Sequence, residues 1–123
     1  MSLKTLVLGA SPKLERYSFQ AVNMLKKFGH TVIALGAREA FIGETKIMIG
    51  KPIIQDIDTV TLYLGISNQI DFYDYILSLK PRRLIFNPGT FNEELHNLAQ
   101  KNGIETVEAC TLVLLSTGQY EMK

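Results

Sequence analysis

Two patterns in the sequence predict an α/β fold, in which an open parallel sheet lies between two layers of helices. Five short segments have the residues of strands, and four of them are followed by a glycine or an asparagine. Helical patterns separate most of these runs, and crossovers of about thirty residues are typical of βαβ units. A chain of 123 residues has the common size of one domain, so we expect a single domain over 1–123.

The first βαβ unit is the clearest. Residues 3–8 are predicted to form strand 1, which ends at Gly9, and residues 31–35 are predicted to form strand 2. Ser18 is a candidate N-cap for the helix between them, and Gly29 is a stop signal at its end. The apolar residues on the inner face of this helix are spaced by three: Phe19, Val22, Leu25 and Phe28.

Residues 37–57 show no strong periodicity. Gly43, Gly50 and Pro52 interrupt this segment, so it is predicted to hold at most a short helical turn.

The second half again alternates strands with helices. The predicted strands are 59–64, 83–86 and 104–108. The predicted helices run from Asn68 to Leu79, from Thr90 or Asn92 to Gly103, and as a last turn over 110–115.

Five strands suggest a three-layer, Rossmann-like open parallel sheet of order 3-2-1-4-5. The order in which the chain adds strands to the sheet then reverses between strands 1 and 4. Ligands of such sheets bind at this reversal, outside the carboxyl ends of the strands. The loops after the strands are therefore the candidate site.

Composition excludes several classes of protein. Thirteen Lys and Arg against twelve Asp and Glu give a net charge of +1, which argues against a nucleic-acid binder. The longest charge-free stretches have twelve residues, too few for a membrane span of about 20. We expect no secretory signal and a cytoplasmic location. One Cys and two His argue against a disulfide framework and a metal site.

The loop after strand 1 is a candidate anion site. Residues 1–40 carry six basic and two acidic side chains, a local balance of +4. Small residues let the backbone approach a ligand, and main-chain N–H groups near a helix start can bind an anion. The candidate residues are Gly9, Ala10, Ser11, Lys13, Arg16 and Ser18. The loop lacks the G-x-G-x-x-G fingerprint of dinucleotide binding. The alternative is that Gly9 only makes the turn, Ser18 only caps the helix, and the two cations are solvated.

The end of strand 2 bears on the choice of nucleotide. NAD-binding sheets usually place an acid there to accept a hydrogen bond from the ribose, whereas this chain has Gly36-Ala37-Arg38. An arginine suits a phosphate on the adenosine ribose, either the 2′-phosphate of NADP or the 3′-phosphate of coenzyme A. Alternatively, Arg38 pairs with Glu39 on the surface.

Three segments resemble the small stand-alone CoA-binding domain proteins, whose domain is similar to the CoA-binding domain of the succinyl-CoA synthetase α-subunit. They are LGASPKLERYSF at 8–19, FNPGTFNEE at 86–94 and VEAC at 107–110. The most specific part is G-A-S-x-K-x-x-R-x-S, from Gly9 to Ser18. The resemblance covers nearly the whole chain.

The resemblance implies a Rossmann-like domain that holds CoA with its diphosphate over the first loop. The adenosine would then lie near Arg38, and Asn87, Pro88 and Gly89 would close the other side. Four positions depart from the family pattern: Tyr17, Gly36-Ala37, Gly65-Ile66 and Ala109. These departures remove two cations, which points to weaker CoA binding or to a related nucleotide.

The leading interpretation is a protein that binds CoA or a related phosphorylated adenine nucleotide, without catalysis or with a regulatory role. The alternatives are a minimal NADP-linked oxidoreductase, a CoA-dependent enzyme subunit that needs a partner chain, and an interaction module. We expect no catalytic residues, because His30, Asp56 and Asp58 precede strands and so belong to the opposite edge. Cys110 is on the ligand edge, where it is either a buried apolar residue or a thiol able to form a mixed disulfide with CoA. The apolar run 111–115 suits core packing or a homodimer seam, and we expect no nucleic-acid or membrane partner.

Overall fold

A computed structural model describes residues 2–122 of the chain. The strands are Thr5–Leu8 (β1), Val32–Leu35 (β2), Ala40–Ile42 (β3), Thr45–Met48 (β4), Thr59–Leu62 (β5), Arg83–Phe86 (β6) and Glu105–Glu108 (β7). The α-helices are Tyr17–Lys27 (α1), Tyr73–Leu79 (α2), Glu93–Lys101 (α3) and Thr111–Ser116 (α4). Two 3₁₀ turns, Ile66–Asn68 and Ile70–Phe72, precede α2.

The strands form one sheet in the order β3-β4-β2-β1-β5-β6-β7. All neighbouring pairs are parallel except β3 and β4. The predicted α/β class is confirmed, but the prediction of five strands in the order 3-2-1-4-5 is wrong. A strand that was not predicted, β4, takes the place beside β2. Residues 59–62 consequently pair with β1 instead of lying beyond β2. The side of β1 on which the chain adds strands therefore changes between β1 and β5.

The segment from 37 to 57, for which at most a helical turn was predicted, contains a β-hairpin. Its side chains alternate in burial, because Ile42 and Ile47 are buried whereas Phe41 and Lys46 are exposed. Gly43 has a φ of +58° in the short turn between the two strands, a conformation that favours glycine. A period of two over strands of only three and four residues is too short to be recognised in the sequence.

The helix starts differ from prediction in two of three cases. The N-cap of α1 is Arg16, not Ser18, and its side chain makes no capping hydrogen bond. The α2 helix begins at Tyr73 instead of directly after Asn68, because the two 3₁₀ turns come first. The prediction of Asn92 as a helix start is confirmed, since its Oδ1 accepts hydrogen bonds from the N–H groups of Glu94 and Leu95, at 3.1 and 3.4 Å.

A helical layer covers each face of the sheet. On one face α1 and α4 pack against β1, β2 and β6 through Val22, Leu25 and Leu115. On the other face α2 and α3 contribute Ile76 and Leu95. The apolar run 111–115 therefore supplies core residues, although Val113 is 55% exposed. Phe28, predicted to face inward, is 44% exposed because it is the C-cap of α1. None of the helices among residues 2–122 has the length and apolar character needed to cross a membrane.

Candidate functional site

A cleft runs along the carboxyl ends of the parallel strands, at the reversal between β1 and β5. It consists of two adjoining cavities that share Gly9, Ala37 and Asn68. The first, the apolar cavity, has a volume of about 290 Å³ and is further lined by Leu8, Leu35, Gly36, Leu64, Asp71 and Phe72. The second, the basic cavity, has a volume of about 510 Å³ and is further lined by Ser11, Lys13, Arg16, Tyr17, Ser18, Tyr63, Pro88 and Thr90.

The basic cavity has the electrostatics of an anion site. Lys13 and Arg16 are its only charged lining residues among the described part of the chain, and both are exposed. The first turn of α1 also lines it at Tyr17 and Ser18, and this turn contains no acidic residue. The positive end of the α1 dipole therefore reinforces the two side-chain cations.

The main-chain donors in the first loop differ from the expectation. The N–H groups of Gly9 and Ala10 both donate to the carbonyl oxygen of Leu35, at 2.9 and 2.8 Å, and so continue the sheet. The N–H of Ser11 donates to Ser18 Oγ at 3.1 Å, and the N–H of Lys13 donates to Ser11 Oγ at 3.2 Å. These bonds occupy the amides that were expected to meet an anion. At the start of α1, the N–H groups of Phe19 and Gln20 donate to the carbonyl oxygen of Arg16. Those of Tyr17 and Ser18, both of which line the cavity, make no hydrogen bond within residues 2–122.

Two glycines allow the cleft walls to approach each other. Gly9 has a φ of +97°, and a Cβ there would lie 3.0 Å from the backbone of Tyr63 and Leu64. A Cβ on Gly36 would lie only 2.3 Å from the carbonyl oxygen of Ala10. Both glycines are thus required by packing between loops, whether or not a ligand is present.

Arg38 is exposed and lies one residue beyond Ala37, which lines both cavities. It is not itself a lining residue of either cavity. The alternative pairing with Glu39 is not seen, because Glu39 pairs with Lys46 at 3.4 Å. The structure therefore does not bring the Arg38 side chain into either cavity, although its chain neighbour Ala37 lines both.

The loop after β6 contains three candidate residues, Asn87, Pro88 and Gly89, and the structure places them in different surroundings. The side chain of Asn87 is 2% exposed and directed into the protein. Its Nδ2 donates to Thr61 Oγ1 and to the carbonyl oxygen of Leu62, at 2.7 and 2.9 Å, and its Oδ1 accepts from the N–H of Thr111 at 2.9 Å. Asn87 therefore joins β5, β6 and α4, while Pro88 lines the basic cavity.

A third cavity, of about 210 Å³, adjoins the basic cavity through Pro88 and includes Gly89 and Cys110. Cys110 is a free, half-buried thiol. Tyr63, in the wall of the basic cavity, has a pKa raised to about 12 by burial and, to a lesser extent, by the nearby Cys110. Tyr63 therefore remains a neutral phenol at physiological pH.

A buried network that the sequence reasoning missed holds the two rims of the cleft together. Gln69, fully buried, donates from Nε2 to the carbonyl oxygens of Leu64 and Thr90, at 2.9 and 2.8 Å. The Oε1 of Gln69 accepts from Asn92 Nδ2 at 3.0 Å. Asn92 Nδ2 also donates to Tyr73 OH, at 2.7 Å. The network links the segment after β5 to the loop after β6.

The lining residues that follow β5 were also missed. Leu64, Asn68, Asp71 and Phe72 come from this segment, which the predicted strand order kept away from strand 1. The loop at 65–67 was among the loops to examine after the predicted strands, but the lining residues on either side of it were not among the candidates.

Two titratable side chains, His30 and Asp58, lie away from the cleft. His30 Nδ1 accepts from the N–H of Leu3 at 2.9 Å, and Asp58 forms an ion pair with Arg82 at 2.9 Å, both at the amino ends of the strands. Within residues 2–122, no three His, Cys, Asp or Glu side chains are grouped closely enough to hold a metal ion.

Comparison with known proteins adds a family and several similar structures. The model of a family described as CoA binding domain matches residues 4–116. A crystal structure of an uncharacterized protein is 48% identical, with a TM-score of 0.95 over 98% of this chain and 99% of that one. A hypothetical protein from Pyrococcus horikoshii OT3 is 21% identical, with a TM-score of 0.84 over 94% of this chain and 83% of that one. A Thermus thermophilus protein is 20% identical, with a TM-score of 0.81 over 96% and 91% of the two chains. No curated protein matches the sequence.

Proposed function

Since this chain belongs to the CoA-binding domain family, we propose that it binds coenzyme A, or a closely related phosphorylated adenine nucleotide, in the cleft between β1 and β5. We further propose that it acts by binding, without catalysis. His30 supports this view, because it lies at the opposite edge of the sheet.

One observation carries the proposal: Lys13, Arg16 and the uncapped start of α1 converge on one cavity that has no acidic lining residue among the described part of the chain. This combination suits a diphosphate, which brings two negative charges and several acceptor oxygens. Hydrogen bonds to charged groups contribute about 1.5–3 kcal/mol each in favourable settings. Because Lys13 and Arg16 are exposed, solvent screening places their contribution toward the low end of this range.

The shape of the cleft also suits an elongated ligand. The apolar, basic and third cavities follow one another along the sheet edge, joined through Ala37 and Asn68 at one junction and through Pro88 at the other. A diphosphate in the middle would leave room for a base on one side and a pantetheine arm on the other. The arm would then run toward Cys110.

Isothermal titration calorimetry with CoA tests this function. We expect the unaltered chain to bind CoA more tightly than NAD, and the double variant Lys13→Ala/Arg16→Ala to bind CoA about 10- to 100-fold more weakly. The matched control, Lys26→Ala/Lys27→Ala, removes the same charge from the other end of α1, where neither residue lines this cleft. An equal loss in both double variants, or no CoA binding by the unaltered chain, contradicts the proposal.

A further inference from the structure

The two main cavities of the cleft have opposite character. The cations line the basic cavity, whereas the walls of the apolar cavity are mainly aliphatic and aromatic. Asp71 is the one charged residue that lines the apolar cavity among the described residues. An anionic group has no counter-ion in this part of the cleft, and a carboxylate there would repel it. The phosphates of a nucleotide therefore belong in the basic cavity, and its uncharged base belongs in the apolar one.

The apolar cavity has walls suited to a flat ring. Leu35 and Gly36 stand on the β2 side, and Leu64 and Phe72 on the β5 side. A purine between them would bury its two faces against apolar groups and leave only its edge to be recognised by polar groups. The polar side chains available at that edge are Asn68 and Asp71.

These two side chains differ in what they can discriminate. The amide of Asn68 offers both a donor and an acceptor, so it can turn to suit either kind of base edge. The carboxylate of Asp71 is only an acceptor when ionised, so it requires a donor. Asp71 is exposed and takes part in none of the ion pairs or side-chain hydrogen bonds found within residues 2–122, so its oxygens are available to a ligand.

We propose that Asp71 makes the cleft selective for adenine over 6-oxopurines, by accepting a hydrogen bond from the 6-amino group of the base. A 6-oxopurine presents a carbonyl oxygen at the same position, and two acceptors facing each other repel. This inference rests on the proposed function and adds to it the residue that reads the base.

The pair ADP and IDP tests the inference, because the two ligands share ribose and diphosphate and differ only at one edge of the base. At that edge ADP has a 6-amino group and an unprotonated N1, whereas IDP has a 6-oxo group and an N1–H. We expect the unaltered chain to bind ADP about 10- to 100-fold more tightly than IDP in calorimetric titrations. In Asp71→Asn we expect the ratio to fall to about threefold or less, since an amide can turn its NH₂ toward the 6-oxo group. Removing a negative charge raises the affinity for both diphosphates alike. The ratio of the two affinities is therefore unaffected by this general gain.

Asp74→Asn is the matched control. Asp74 is an exposed carboxylate three residues further along the chain and does not line the cavity, so the ratio should stay at its unaltered value. The inference is overturned if the unaltered chain does not discriminate between ADP and IDP, including the case in which it binds CoA and neither of them. It is also overturned if Asp71→Asn keeps the ratio or if Asp74→Asn loses it equally. Failure of the proposed function is a separate result, namely the absence of CoA binding.

Discussion

Replacing Asn87 with alanine should destabilise the protein more than it weakens ligand binding. The Asn87 side chain makes three buried hydrogen bonds, to Thr61, Leu62 and Thr111. A net contribution of about 1 kcal/mol for each gives a loss of about 3 kcal/mol. The penalty for leaving the buried N–H of Thr111 without its partner is part of this loss, because such groups cost about 1–3 kcal/mol when unsatisfied.

Urea unfolding followed by circular dichroism measures this loss directly. For a chain of this length, about 3 kcal/mol corresponds to a fall in melting temperature of roughly 10 °C. Asn97→Ala is the control, because Asn97 is exposed on α3 and makes no side-chain hydrogen bond within residues 2–122. We expect its free energy of unfolding to change by less than about 0.5 kcal/mol.

The outcome distinguishes a structural role for Asn87 from direct contact with a ligand. If Asn87→Ala loses less than about 1 kcal/mol of stability while its CoA affinity falls sharply, the reasoning from the hydrogen bonds is refuted. The side chain would then face the ligand, as the resemblance implied.

Two further predictions follow from exposed and buried charges. Arg38→Ala should remove the preference for CoA over dephospho-CoA, measured by calorimetry, if Arg38 binds the 3′-phosphate. Because Arg38 is exposed, the substitution should not lower the melting temperature of the free protein. A persisting preference would assign the 3′-phosphate to another residue. Burial lowers the pKa of His30 below its ordinary 6.5, and Glu121 only partly opposes this shift, so the unfolded chain takes up a proton that the folded chain refuses. The free energy of unfolding should therefore be retained above pH 6.5 and fall as the pH drops below it. His30→Gln should reduce this fall when the free energy of unfolding is measured by urea denaturation from about pH 5 to pH 8. The same pH dependence in the variant and the unaltered chain would contradict this.

The fold class could be predicted because its signals are local. Of the predicted strands, those that became β1, β2, β5 and β6 are mainly apolar or β-branched runs with clear ends, and Asn92 has the residue type of an N-cap. The hairpin at 40–48 could not be predicted, because only Ile42 and Ile47 mark its buried side. Missing the two strands of this hairpin moved the strand that follows it from the side of β2 to the side of β1, while the predicted pairing of the last two strands, β6 and β7, was retained. Sheet order is a property of the whole chain and not of any segment.

The candidate site could be predicted in part for the same reason. Lys13 and Arg16 follow β1 directly, so their place at the cleft depends only on the first βαβ unit. Asp71 and Phe72 reach the cleft because β5 pairs with β1, and no local pattern shows that pairing. The inward direction of Asn87 was likewise hidden, because its partners are up to 26 residues away in the chain.

The motif from Gly9 to Ser18 divides into residues that build the loop and residues that face the cleft. Gly9 permits the approach of β5, and Ser11 and Ser18 brace the loop through hydrogen bonds with its own amides. The side chains of Lys13 and Arg16 make no hydrogen bond or ion pair within residues 2–122 and line the basic cavity instead. The loop keeps its shape through bonds that involve no ligand, so the cleft is preformed and little ordering cost opposes binding. Substitutions that remove Lys13 or Arg16 should consequently weaken binding by loss of charge, while the loop from Gly9 to Ser18 keeps its shape.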